Sequence, residues 1–420
     1  MLSSFISAAA LAALQPLTLG QAQQHAVARS RQLAAQDHAI AGSRAMAVAA
    51  GQLPDPVLKA GIDNLPVSTS DRFSLGADFM TMRRVGVSQE FTRADKRQSR
   101  SARFEREALK SEAQKDVILA AIQRETAIAW LDRYYTEQMA ALISLQAQQA
   151  RQEIEAAQAA YRGGRGTQAD VLAARSALLL LADRASEIDR RLQVAHAKLA
   201  RWTGLDGELQ LSGTPDIDHI GLDTATLDTA LAHHPTVTVL KRQQEVALAE
   251  LALARANLRP DWSVEVAFQQ RGSAYSNMVS VGISVPLQWD RKKRQGRELG
   301  AKLAMVEQTG AERDEVLREH VAETGAMIVE WRSGRERISR YMQQLLPLSG
   351  ERIRAALAAY RGGKATLNDV LAARRNETEL RMQAIELQLA TSRLWAQLNF
   401  LFPDGGKLPH ATINNPQDSK

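Results

Sequence analysis

The sequence predicts a mainly α-helical chain with a small β part, built by internal duplication. Three observations carry this. The stretch Ala159–Arg175, AAYRGGRGTQADVLAAR, recurs at Ala358–Arg374 as AAYRGGKATLNDVLAAR, with 13 of 17 positions identical at an offset of 199. A long helical pattern nearly free of proline precedes each copy. Hydrophobic residues make up 45% of the 420 positions but aromatics only 5%. With abundant alanine, that mix favours long, closely packed helices over a compact mixed core.

Each half opens on an alanine-rich helical segment, from Leu19 and from Leu227, and each segment runs to a Pro-Asp pair, Pro54-Asp55 and Pro260-Asp261. Proline breaks the helix there and favours an extended exit. Strand patterns follow at Val57–Val67 and Asp78–Phe91, then at Trp262–Arg271 and Met278–Trp289. Val264, Val266 and Phe268 alternate along one strand, and Val279, Val281, Ile283 and Val285 along the next. Each strand pair ends in a basic run, DKRQSR at Asp95–Arg100 and DRKKRQGR at Asp290–Arg297. Such a run suits either lipid phosphates or a solvated helix start.

The long helical stretches are about 94–161 and 296–360, interrupted only by Pro347. At 1.5 Å per residue each would span on the order of 100 Å, a length that calls for coiled-coil packing. After the Gly-Gly turns come shorter helices, about 167–202 and 366–400. The organisation is therefore a first repeat over 17–204, a linker at 205–222 and a second repeat over 223–402. Residues 1–16 read as either a truncated signal segment or a plain surface segment, since the first basic residue is Arg29. Residues 403–420 read as a disordered tail.

No run is long and apolar enough for a spanning helix, so a membrane could be crossed only by strands. Four strands cannot close a barrel. Three copies would supply twelve, an even number suited to an outer-membrane barrel. The alternative at this point is a soluble protein whose hairpins pack on its helices.

The repeated turn has its own chemistry. Gly163 and Gly164, like Gly362 and Gly363, follow a helix and suit its left-handed termination. Thr167 with Asp170, and Thr366 with Asp369, have the capping-box spacing that restarts one. The carboxylates are thus helix caps. In a tube of helices they would also form acidic rings at its mouth, favouring cations. Arg165 and Lys364 could then pair with neighbouring carboxylates and hold that mouth shut.

Other chemistry is not visible. The absence of cysteine excludes disulfides and thiolate metal sites. The charge of +6 is well mixed, and no nucleic-acid motif accompanies it. There is no phosphate loop, nucleophile elbow or metal-spaced histidine set, so no enzyme, cofactor or bound metal is expected. His233-His234 beside Pro235 reads as a helix-start feature. Met80 and Met82 read as a barrel face along one strand.

The doubled turn and the duplicated helix–strand–strand–helix order resemble the TolC-type outer-membrane efflux channels, over about 17–402. Within them, LPDPVLKAGIDNLPV and DFMTMRRVGVSQEF resemble the heavy-metal (cobalt–zinc–cadmium, CzcC-like) branch. The resemblance implies a homotrimer with a twelve-stranded barrel in outer-membrane lipid, continued by a periplasmic α-helical barrel of coiled-coil hairpins. It implies a passive duct for heavy-metal cations, fed by a proton-driven inner-membrane pump of the resistance–nodulation–division type through a periplasmic adaptor. The tip residues Tyr161, Gly163, Gly164, Thr167, Tyr360, Gly362, Gly363 and Thr366 would meet that adaptor. Asp369 takes the place of the family's constricting aspartate, and Asp170 is its first-half counterpart. A further acidic residue common in the family is Ala372 here, and the lipid-bearing cysteine of many relatives is missing. The alternatives are a duct for drugs or secreted polypeptide, and a soluble coiled-coil scaffold.

Overall fold

A computed structural model describes residues 16–206, 209–214, 216–222 and 226–403. The segments 1–16 and 403–420 lie outside these residues, apart from Pro16 and Pro403. The first half contains α1 (Leu19–Ala28), α2 (Arg31–Ala50), β1 (Val57–Asp63), β2 (Met82–Phe91), α3 (Ala94–Arg162) and α4 (Gln168–Thr203). The second contains α5 (Leu227–Leu231), α6 (Pro235–Ala256), β3 (Trp262–Gln270), β4 (Met278–Ser284), α7 (Gln295–Arg340), a π-helical turn (Tyr341–Leu345), α8 (Leu346–Arg361) and α9 (Leu367–Asn399). The order of elements is duplicated as the sequence predicts.

Several expected elements are shorter or broken. The opening helix of the first half stops at Ala28 and restarts at Arg31, where the Ser30 hydroxyl accepts from the Leu33 N–H at 3.3 Å. Its counterpart breaks before Pro235, which begins α6 because the first helical position needs no N–H. The second long helix is not continuous. Pro347 lacks a donor and crowds the carbonyl four residues earlier, and a π-helical turn precedes it. β1 ends at Asp63 because Asn64 turns to φ 56°. Met80 lies before β2 in a turn where its N–H bonds Asp78 Oδ1 at 2.7 Å, so Met80 and Met82 do not share a strand.

The chain divides into two compact units that cut across the two repeats. One takes Met1–Ala34, Lys115–Pro235 and Leu317–Lys420, the other Ala35–Gln114 and Thr236–Val316.

In the first unit the core is helical. Trp130, Leu131 and Tyr135 of α3 pack with Leu199 of α4, Trp331 of α7 and Trp395 of α9. The three indoles also fasten loop backbone. Trp130 donates to the Leu17 carbonyl at 3.1 Å, Trp331 to Ile217 at 3.0 Å and Trp395 to His219 at 2.9 Å. The segment expected as a linker is thus partly built into the core. A second cluster follows along α3, with Met139, Ile143, Ile188 and Met382. A third, with Ala157, Val171, Ala174 and Leu371, lies beside the Gly-Gly turns.

In the second unit the strands form one antiparallel sheet in the order β1-β2-β3-β4. Its register puts Lys59 opposite Gly86, Gly86 opposite Ala267 and Ala267 opposite Ser280. Since side chains alternate, one face carries Lys59, Gly61, Arg84, Gly86, Ser88, Glu265, Ala267, Ser280 and Gly282. The other carries Leu58, Ile62, Val85, Val87, Val266, Phe268, Val279, Val281 and Ile283, all of them exposed. Phe91 stacks on Trp262 at 4.6 Å at one end of that apolar face. The flanking helices are laced by charge: Glu250 pairs with Arg103 at 3.1 Å and Lys302 at 2.6 Å. The first basic run joins this lacing, since Lys96 is buried against Asp261 at 2.6 Å. That residue neither lies at a lipid surface nor is solvated, because a nearby carboxylate offsets its burial.

Candidate functional site

The two Gly-Gly turns are built alike. Gly164 and Gly363 adopt φ of 68° and 70°, the left-handed region that glycine enters at little cost. The next residue's N–H reaches back five residues, Arg165 to the Ala160 carbonyl at 2.9 Å and Lys364 to Ala359 at 2.8 Å. These bonds satisfy carbonyls that the helix end would leave orphaned. Thr167 and Thr366 then cap α4 and α9. Asp170 Oδ2 accepts from the Thr167 N–H at 2.9 Å, and the Thr167 hydroxyl accepts from the Asp170 N–H at 3.2 Å. Asp369 repeats this with Thr366 at 2.8 Å and 3.3 Å.

The tips are not equivalent. Asp170 is half-buried, and its Oδ1 accepts from Asn368 Nδ2 of the other tip at 3.4 Å. Asp369 is exposed, and its Oδ1 takes no partner among the described residues. The repeats explain the difference, because Asn368 is matched in the first tip by Ala169, which has no side-chain donor. Asn368 was not among the expected site residues. Its signal is that it occupies one of the four positions where the two copies differ. Hydrogen bonds from the Thr366 backbone and hydroxyl hold the Asp369 carboxyl below the usual aspartate range, so it is ionised at neutral pH.

The other expected residues are placed as follows. Tyr161, Gly163, Gly164, Thr167, Gly362, Gly363 and Thr366 are exposed, and Tyr360 is half-buried. Arg165 and Lys364 are exposed and form no ion pair among the described residues. Just behind the tips Arg374 pairs with Glu153 at 2.8 Å, and Arg184 with Glu379 at 2.9 Å. The two hairpins are thus tied together by packing, by ion pairs and by the Asn368–Asp170 bond.

A family model described as Outer membrane efflux protein matches residues 226–402, which is the second repeat. The first repeat carries the same order of elements and the same turn. No curated protein sequence matches this chain. Solved structures match its fold over most of its length. CusC, described for its transmembrane channel formation, is 15% identical, with 91% of each chain covered and a TM-score of 0.77. The Vibrio cholerae outer membrane protein VceC is 18% identical, covering 91% of this chain and 95% of its own, with a TM-score of 0.73. The Neisseria gonorrhoeae outer membrane channel MtrE, in its open state, is 16% identical, covering 93% and 89%, with a TM-score of 0.71. These likenesses show the fold, a mainly helical chain with one four-stranded antiparallel sheet.

Proposed function

We propose that three copies of this chain form a passive duct that exports heavy-metal cations, as the outer-membrane part of a tripartite efflux system. The observation that carries the duct is the sheet. It is apolar and exposed on one face and polar on the other, and the outer edges of β1 and β4 have no partner strand among the described residues. Free edges and an exposed apolar face are both costly in water. Twelve strands from three copies remove the edges, place the apolar face in lipid and enclose the polar face as a lumen.

In this reading the hairpin tips meet a periplasmic adaptor, which links the duct to a proton-driven inner-membrane pump. Asp369, exposed and ionised, forms the acidic ring at the entrance, with Asp170 behind it. Arg165 and Lys364, which form no ion pair among the described residues, pair with carboxylates of neighbouring copies and hold the entrance closed. The cation cargo is supported by the acidic tips and by the resemblance of the first two strand segments to the heavy-metal branch. A duct needs no tight metal site, since tight binding would slow release.

The metal-sensitivity profile of a deletion strain tests this. Loss of resistance to zinc, cobalt, cadmium, copper or silver is expected. A strain that keeps full metal resistance but becomes drug-sensitive would overturn the cargo while keeping the duct.

A further inference from the structure

The polar face of the sheet carries a mixed-charge cluster drawn from three neighbouring strands. Lys59 of β1 donates to Glu265 Oε2 of β3 at 2.6 Å, reaching across β2, where Gly86 stands opposite it in register. Arg84 of β2 donates to the other oxygen, Glu265 Oε1. Arg84 Nη1 also lies 3.7 Å from Asp63 Oδ2 at the end of β1. Glu265 is therefore the hub, with one carboxylate oxygen on each cation. Its side chain is about one-fifth exposed, and Arg84 Nε is buried without a hydrogen-bond partner among the described residues.

The cluster sums to zero, Lys59 and Arg84 against Asp63 and Glu265. Its placement gives that balance a consequence. The same face is otherwise lined mainly by uncharged residues, among them Gly61, Gly86, Ala267, Ser280 and Gly282. Little else in the middle of this wall sets its potential. Glu90, the other charged residue on this face, sits at the strand end and accepts from the Thr92 hydroxyl.

We propose that Glu265 is a specificity-determining residue of the channel, completing with Asp63 the cancellation of Lys59 and Arg84 on the pore wall so that the barrel stays permeable to cations. This rests on the trimeric duct proposed above. Without the Glu265 charge each chain would present one net positive charge to the lumen, and three chains would form a cationic ring. Such rings attract anions and repel cations, and a low-dielectric wall strengthens the effect.

The test uses the purified full-length protein in planar bilayers across a potassium chloride gradient. Glu265→Gln is expected to move the reversal potential towards the chloride equilibrium potential. Lys59→Gln, which leaves the carboxylate and makes the cluster net negative, is expected to move it the other way. The double variant restores neutrality and is expected to return to the wild-type value. A conducting Glu265→Gln channel with an unchanged reversal potential overturns the proposal, as does a double variant that fails to return. Should Glu265→Gln not assemble, an unshifted Lys59→Gln channel overturns it equally. A wild-type protein that forms no pores at all refutes the duct itself, a result distinct from these.

Discussion

Asn368 Nδ2 donates to Asp170 Oδ1 at 3.4 Å, joining the tip of the second helix hairpin to that of the first. The bond runs one way only, because Ala169 stands where Asn368 stands in the other copy. One tip carboxylate is thereby engaged on both oxygens, and the other keeps one oxygen free among the described residues.

In the proposed duct, that asymmetry predicts unequal effects at the entrance. Asp369→Ala is expected to raise the ion conductance of the isolated channel, while Asp170→Ala changes it less. Asp369→Asn keeps an acceptor for the cap and removes the charge, so it separates the two roles. Because the Asp369 pKa is lowered, the stability it contributes is present above the unfolded value of 3.8 and is lost as pH falls through the folded one. Its effect on conductance is therefore expected to be constant from about pH 5 to pH 7. Equal conductance for all three variants and wild type would remove the constriction role.

The turn glycines should divide by position. Alanine at Gly164 or Gly363 must enter the left-handed region and is expected to cost about 1–2 kcal/mol each. Gly362 has φ −81°, and a Cβ there meets only helix carbonyls at 3.5 Å and 3.6 Å. Gly362→Ala should therefore be close to neutral. Thermal unfolding of the single variants decides this.

The sheet glycines should divide in the same way. A Cβ at Gly86 would lie 2.7 Å from the Ala267 Cβ and 2.9 Å from the Val266 carbonyl, on the neighbouring strand. Gly61 and Gly282 have nothing within 4 Å. Gly86→Ala is expected to cost on the order of 1–3 kcal/mol by overpacking and to lower trimer yield. Gly61→Ala and Gly282→Ala should assemble normally, as read by the mobility of unheated samples in detergent gels.

Acid should loosen the helical unit through His234. Burial, then the nearby His320 and Arg124, depresses its pKa from 6.5 to about 4. A depressed histidine favours the folded state while neutral. That contribution is present above pH 6.5 and is lost as pH falls towards 4. It amounts to on the order of 3 kcal/mol per chain. His234→Leu is expected to flatten the fall of Tm across this window, whatever its absolute stability. An unchanged slope would exclude His234 as the source.

Much of this was legible in the chain because the patterns are local. Helix and strand periodicity, the Pro-Asp stops and the Thr-x-x-Asp caps depend on residues within a few positions of one another. The misses were also local, but depended on finer competition. Ser30 interrupts a good alanine-rich helix by offering its backbone another partner. Pro347 left the second long helix helical but forced a π-turn ahead of it. Met80 was drawn out of its strand by the Asp78 side chain.

The duplication, the helix hairpins with capped tips and the two-faced strands follow from the order of residues alone, because each is a repeat of short-range preferences. Which tip keeps a free carboxylate oxygen, which glycine lies under a neighbouring strand and which charges meet on the polar face of the sheet do not. Lys59 and Glu265 are 206 positions apart, and Asp170 and Asn368 are 198 apart. Only strand register and hairpin packing bring such groups within bonding distance, and both depend on the whole folded chain.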